Sequence, residues 1–327
     1  MSSFQYAIDP QGDVQTTEEL IAWSANSSWQ RYWLFHRFCQ DRYQQVTGGP
    51  PAPLAGGNAL AERGISLHPG MLNLGGCNAM TQAIDQYMAD VLPENGTPDL
   101  SYTVPWTGHQ AHLLKRILPQ ILSPSVEAEL EEYYGSYFQV LAVNLRRNFP
   151  SDGRDVSFLW HRDHEPSQQV HLIVYLSGAS DEGGRTEVLD FQATREAAEA
   201  GYSFPSLEDR SDDLNAVFGR QADDVTITSP EFGPGGGLLF AAPRALHRGR
   251  LPRTKWRDTL LFLFLPSPVP WRDRLAHTFN SVLMNGANVS SCMVNPLRKF
   301  ARSEMAHHGD APDWAKLGEL YPPDGKP

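Results

Sequence analysis

The sequence predicts a mainly β core, a sandwich or jelly roll, set between helical flanks. Three observations predict it. About seven short runs rich in β-branched and aromatic residues fall between Phe138 and Pro266. Gly (27) and Pro (25) punctuate the chain heavily, which favours strands joined by turns over a helical bundle. Before Phe138 and beyond Pro270 the apolar residues instead follow helical spacing.

Taken in order, Thr16 or Thr17 caps a predicted helix that begins at Glu18 and Glu19 and runs to Val46, with an aromatic-heavy stripe that reads as core. The Gly- and Pro-rich stretch 47–64 breaks it as an exposed loop. Helical patterns follow near Asn78–Leu92 and Gly108–Leu122, and Ser123 or Ser125 caps a third that leads to Phe138. Strand candidates are then 138–149, 156–164, 169–177 and 185–191, with a turn at 177–184. A polar, partly helical insert spans about 192–222. Strand character resumes at 223–229, Gly233–Gly237 makes a tight turn into 238–243, and 258–266 is the last strand, stopped by Pro266. The expected organisation is therefore a helical region 1–137 packing on the core and pocket, a jelly-roll core 138–270 and a helical extension 271–327.

Several function classes are excluded early. A net charge of −11 repels phosphate backbones, and no basic stripe is present, so nucleic acid is not an expected partner. Cys39, Cys77 and Cys292 form no CxxC pair, which argues against a disulfide framework or a structural zinc knuckle. The start lacks a basic, apolar leader, and the run Thr259–Leu265 is too short to cross a bilayer. No membrane partner and a cytoplasmic location are the expectations, in which case the sequons at Asn26, Asn95 and Asn288 carry no meaning. Gly233–Gly237 lacks the Lys-Ser/Thr of a phosphate loop, and no GxSxG element supports a serine hydrolase.

The chemistry concentrates in LWHRDHE and in the region around His247. His161 and Asp163 are two apart, so on a strand both side chains share one face. His247 follows 86 positions later, just past a strand ending at Phe240. Two histidines and one carboxylate on one face of a metal suit non-haem iron(II) and leave coordination positions open. Arg257, ten residues after His247, supplies a fixed charge for a dicarboxylate, and Thr259 shares its strand face. His164 is expected on the rim, His171 as pocket lining or core, and His307-His308 on the surface. Arg146, Arg147 and Arg185 are each either substrate contacts or solvated strand residues.

The run WHRDHEPSQQVHLIVYLSGASDEGGRTEVLDF resembles the middle of an iron(II)/2-oxoglutarate dioxygenase. Tyr175-Leu176 followed by Gly183-Gly184 and Thr186 is similar to the prolyl-hydroxylase-like branch, and WHxDH is similar to phytanoyl-CoA-hydroxylase-like enzymes. The resemblance covers about Gln139–Pro266. It implies a double-stranded β-helix (cupin-like) core, iron on His161, Asp163 and His247, and 2-oxoglutarate on Arg257 with Thr259, Asn144 and Tyr175 as further pocket residues. It also implies dioxygen as oxidant, with succinate and carbon dioxide released. Related halogenases carry Gly or Ala where Asp163 stands, so hydroxylation, desaturation or ring formation is expected. The implied substrate is a small molecule such as an amino acid or a natural-product intermediate. A protein side-chain hydroxylase and a non-enzymatic cupin-like metal-binding module stand as alternatives.

Overall fold

A computed structural model describes residues 27–92, 98–151, 156–163, 168–273, 275 and 283. The expected cap at Thr16 or Thr17, the residues His164 and His307-His308, and nearly all of the predicted C-terminal extension lie outside them.

The helices end where their sequence signals place them. Helix α1 (Ser27–Thr47) is followed by the short α2 (Ala59–Arg63), capped by the Asn58 side chain. Helix α3 (Leu74–Val91) is capped by Asn73. Helix α4 (Gly108–Ile121) opens on a reciprocal capping box between Thr107 and Gln110. Helix α5 (Pro124–Tyr134) starts with proline in its first turn and stops at Gly135 in the left-handed region.

The strands form two antiparallel sheets. The larger contains, in spatial order, β1 (Ile65–His68), β7 (Gly237–Phe240), β4 (Val170–Tyr175), β9 (Arg257–Ser267), β3 (Tyr137–Asn148) and β2 (Ser101–Val104). The smaller contains β6 (Ile227–Thr228), β5 (Thr186–Leu189) and β8 (His247–Gly249). Neither sheet closes on itself or curls into a barrel, so the expected jelly roll, or double-stranded β-helix, is corrected to a mixed α/β architecture. The large sheet ends on two different edge strands, β1 and β2, that do not pair with each other, and the strands of the small sheet span only two to four residues.

Two further differences bear on the site. Of the predicted strand 156–164, the described part 156–163 is no regular strand. It is a single 3-10 turn, Val156–Phe158, followed by an isolated bridge from His161 to His247. The predicted loop 47–64 runs into α2 and then into β1, which pairs with β7 from Ile65↔Phe240 to His68↔Gly237. The insert is partly helical as expected, with α6 (Phe191–Glu199) and α7 (Leu214–Phe218).

The main core lies between helices α3–α5 and one face of the large sheet. Val143, Leu145, Leu172, Val174, Leu260, Phe262 and Phe264 are all buried there against Met80, Ile84, Leu114, Ile117 and Leu130. Gly235, at φ 92°, lets the turn before β7 press onto the Leu72 carbonyl, where a Cβ would come within 1.8 Å of that oxygen.

Candidate metal centre

The residues of the opposite face of the large sheet are one position out of step with the core residues, because successive side chains point to alternate faces. On β9 these are Arg257, Thr259, Leu261 and Leu263; on β3 they are Asn144, Arg146 and Asn148; on β4 they are His171 and Ile173. With His161, Asp163 and His247 they wall a cavity of about 290 Å³.

Three backbone bonds bring the candidate ligands together. His161 and His247 exchange N–H···O bonds of 3.0 and 2.9 Å, and the Asp163 N–H donates to the Ala242 carbonyl at 3.3 Å. The bridge, not a shared strand face, therefore unites the two remote stretches. One ligand atom from each of His161, Asp163 and His247 lies within 4.8 Å of the others. Asp163 Oδ1 stands 3.5 Å from His161 Nε2 and 3.7 Å from His247 Nε2.

The ring orientations fit a metal. His161 Nδ1 is 2.7 Å from the Leu159 carbonyl, and His247 Nδ1 is 3.0 Å from the Ala245 carbonyl. A carbonyl only accepts, so each Nδ1 carries the proton and each Nε2 turns a lone pair toward Asp163. Burial, reinforced by the neighbouring His247, pushes His161 down to about 3. Burial likewise lowers His247 and His171. Burial raises the Asp163 carboxyl, but the three surrounding histidines outweigh it and hold it below the usual range. Neutral imidazoles beside an ionised carboxylate are the forms that bind a divalent ion. Ligands each ~2.1 Å from an ion at right angles would sit roughly 3 Å apart, so a small inward movement completes the site. The three side chains are a two-histidine, one-carboxylate facial triad. Such a triad suits a divalent ion such as iron(II) and leaves coordination positions open.

Arg257 is buried on the same cavity wall, and burial lowers its pKa. Among the described residues its Nε has no hydrogen-bond partner, and its Nη1 makes a long 3.5 Å contact to the Arg250 carbonyl. Asn144 and Thr259 line the cavity with it. Tyr175 pairs with Thr259 across the strands, is fully buried, and accepts the Thr186 N–H at its hydroxyl. His171 lines the cavity, with Nδ1 3.6 Å from Asp163 Oδ2. Of the three weighed arginines, only Arg146 faces the cavity. Arg147 is buried in a paired contact with Asp258, and Arg185 binds Asp181 and Glu231.

The sequence reading missed two groups of residues. Gln169 and Asn148 line the cavity; the alternation in QVHLI and in NLRRN carried that signal. The insert also grips the neighbours of both histidines. Trp160, just before His161, donates its N–H to the Ser211 carbonyl and accepts from the Tyr202 hydroxyl, each at 2.8 Å. The Ser211 N–H returns to the same hydroxyl at 2.8 Å. Arg248, just after His247, binds Glu187 and the Asp212 carbonyl and stacks on Trp160 at 4.7 Å. Nothing in the sequence pattern of the insert announces this contact.

No protein family matches the chain, and no curated protein matches it. Solved structures do overlap it in part. A non-haem α-ketoglutarate-dependent carbocyclase, SnoK from nogalamycin biosynthesis, is 12% identical over 63% of this chain and 81% of its own, at a TM-score of 0.42. EctD from S. alaskensis, solved with 2-oxoglutarate and 5-hydroxyectoine, is 14% identical over 66% and 77%, at 0.45. HygX from Streptomyces hygroscopicus, with nickel and 2-oxoglutarate bound, is 18% identical over 64% and 85%, at 0.40.

Proposed function

We propose that this chain oxidises an unactivated C–H bond of a small molecule, by hydroxylation, desaturation or ring closure. His161, Asp163 and His247 hold the iron, and Arg257, helped by Thr259, holds the far carboxylate of 2-oxoglutarate. The bound iron and 2-oxoglutarate supply oxidation by dioxygen, with succinate and carbon dioxide released. The residues of the chain supply placement. The backbone carbonyls behind each Nδ1 fix the imidazoles, and Arg257 offers a fork to a carboxylate in a water-poor wall.

One observation carries the reading: a complete triad and a buried arginine with an unmet Nε share one cavity. The cavity size suits a small molecule more than a protein segment. Among the described residues no helix is long and apolar enough to cross a membrane, and Cys39 and Cys77 are buried thiols outside any disulfide. A reducing, cytoplasmic setting that keeps iron ferrous accords with those thiols.

Purified protein given iron(II), ascorbate and 2-oxoglutarate is expected to release succinate slowly without added substrate. His161→Ala and Asp163→Ala are each expected to abolish it. Full turnover in both variants would remove the metal assignment, and no turnover by the folded parent protein would leave a non-enzymatic metal-binding module as the reading.

A further inference from the structure

The triad and Arg257 leave three buried polar atoms of the cavity wall unexplained. Gln169 is 0% exposed, lines the cavity, and has no hydrogen-bond partner at either Oε1 or Nε2 among the described residues. Two residues further on, His171 lines the same wall and its Nε2 is equally unmet. Leaving such groups dry and unpaired is costly, so a ligand is their natural complement.

Position separates this group from the co-substrate. Tyr175 pairs with Thr259, Ile173 with Leu261 and His171 with Leu263. Along β4 the sequence from the Arg257 end is therefore Tyr175, Ile173, His171 and then Gln169. Asp163 stands against His171. A diacid stretched from the triad towards Arg257 runs away from Gln169, which is left to the molecule being oxidised.

Chemistry narrows what that molecule presents. His171 Nδ1 lies 3.6 Å from Asp163 Oδ2, too long for a hydrogen bond to fix the tautomer, so its Nε2 offers a lone pair or a proton. Gln169 offers an acceptor at Oε1 and donors at Nε2. Its complement must therefore both donate and accept. A carboxylate only accepts, and it would face the Gln169 Oε1 lone pairs. A primary carboxamide meets all three atoms: it donates to Gln169 Oε1, accepts the Gln169 N–H, and turns its second N–H or its carbonyl to His171 Nε2.

Resting on the oxygenase reading above, we propose that Gln169 and His171 form a substrate subsite beside the metal that selects an uncharged carboxamide over a carboxylate. Gln169 is its specificity-determining residue.

The test uses the cobalt(II) protein with 2-oxoglutarate and three probes of similar size: propionamide, propionate and 1,2-propanediol. The readout is paramagnetic broadening of the probe's methyl protons, which reports approach to the metal without turnover. Propionamide is expected to be broadened about tenfold more than propionate, the ratio that about 1.4 kcal/mol of mismatch gives. Gln169→Leu should erase the preference, while the near-isosteric Gln169→Glu, which still accepts the amide N–H and repels propionate, should keep it; circular dichroism checks that each variant is folded. Equal broadening of all probes, no broadening of propionamide, a preference for propionate or the diol, or an amide preference that survives Gln169→Leu would overturn the proposal. The cobalt absorption spectrum keeps the two readings apart. If it does not respond to 2-oxoglutarate, the oxygenase reading fails; if it responds and the probes are not distinguished, only the carboxamide subsite fails.

Discussion

The two faces of the large sheet are built from the same strands and do different work. On the helix-facing side, Val143, Leu145, Leu172, Val174, Leu260, Phe262 and Phe264 are buried among apolar helix residues. On the other side, one position away along each strand, stand Asn144, Arg146, His171, Arg257 and Thr259. Stability and chemistry are thus separated by the two-residue period of the strand alone. The exception on the core face is instructive. Arg147 and Asp258 are buried there, and they are tolerated because the guanidinium makes two bonds of 2.6 Å to the carboxylate and stacks on Trp256.

The division depends on one irregularity. The register of β3 against β9 shifts between Val140 and Ala142. Before the shift Phe138 and Val140 face the core; after it Val143 and Leu145 do. Leu141 is the extra, unpaired residue of this bulge; if it took a regular place in the ladder, Asn144 and Arg146 would turn into the core. Inserting one alanine between Val143 and Asn144 puts Asn144 and Arg146 on the core face, and it is expected to have the largest effect of any single change: no cooperative unfolding transition and no metal binding. An insertion protein with near-normal Tm would show that the two faces are not fixed by this register.

Paired substitutions on β9 sharpen the same contrast. Phe262 is fully buried and stacked parallel to Phe264, with centroids 6.1 Å apart. Phe262→Ala should cost about 3–5 kcal/mol of stability, read by denaturant unfolding, while the 2-oxoglutarate requirement of the remaining folded protein is unchanged. Arg257→Ala should do the reverse. The 2-oxoglutarate KM should rise about tenfold to a hundredfold, from loss of a charge-assisted bond, with unfolding little affected. An unchanged KM would move the co-substrate anchor elsewhere. Arg253, the next arginine in sequence, is exposed, not on the cavity wall.

These contrasts also mark what the sequence could reveal. His161, Asp163, His247 and Arg257 were legible because their side-chain chemistry is rare in combination and their spacing is local or ordered along the chain. The helices were legible from caps such as Thr107-Gln110. The arrangement of sheets was not, since strand pairing joins residues as remote as Ile65 and Phe240 and leaves no local trace. The four-residue strands β1 and β2 were too short to show a period, and one of them hides at the end of a glycine-rich stretch. The run around His161 looked like a strand because it is apolar and aromatic; burial under the insert accounts for that pattern instead, with Trp160 packed against Val217, Phe218 and Leu246.

The insert offers the smallest and most discriminating test. Its apolar residues cluster with Trp160, Leu189 and Leu246, and its Tyr202 hydroxyl ties the Trp160 carbonyl to the Ser211 N–H. Through Asp212 the same loop also reaches Arg248. A residue that acts only by positioning should alter how well the triad holds its ion without altering how well the chain folds. Tyr202→Phe keeps the ring and removes the hydroxyl, so about tenfold weaker cobalt(II) affinity is expected, with a shifted cobalt absorption band and an apo-protein Tm close to that of the parent. If instead Tm falls and affinity per folded molecule is unchanged, the insert stabilises the chain and plays no part in shaping the metal centre. The two histidine neighbours would then owe their geometry to the His161–His247 bridge alone.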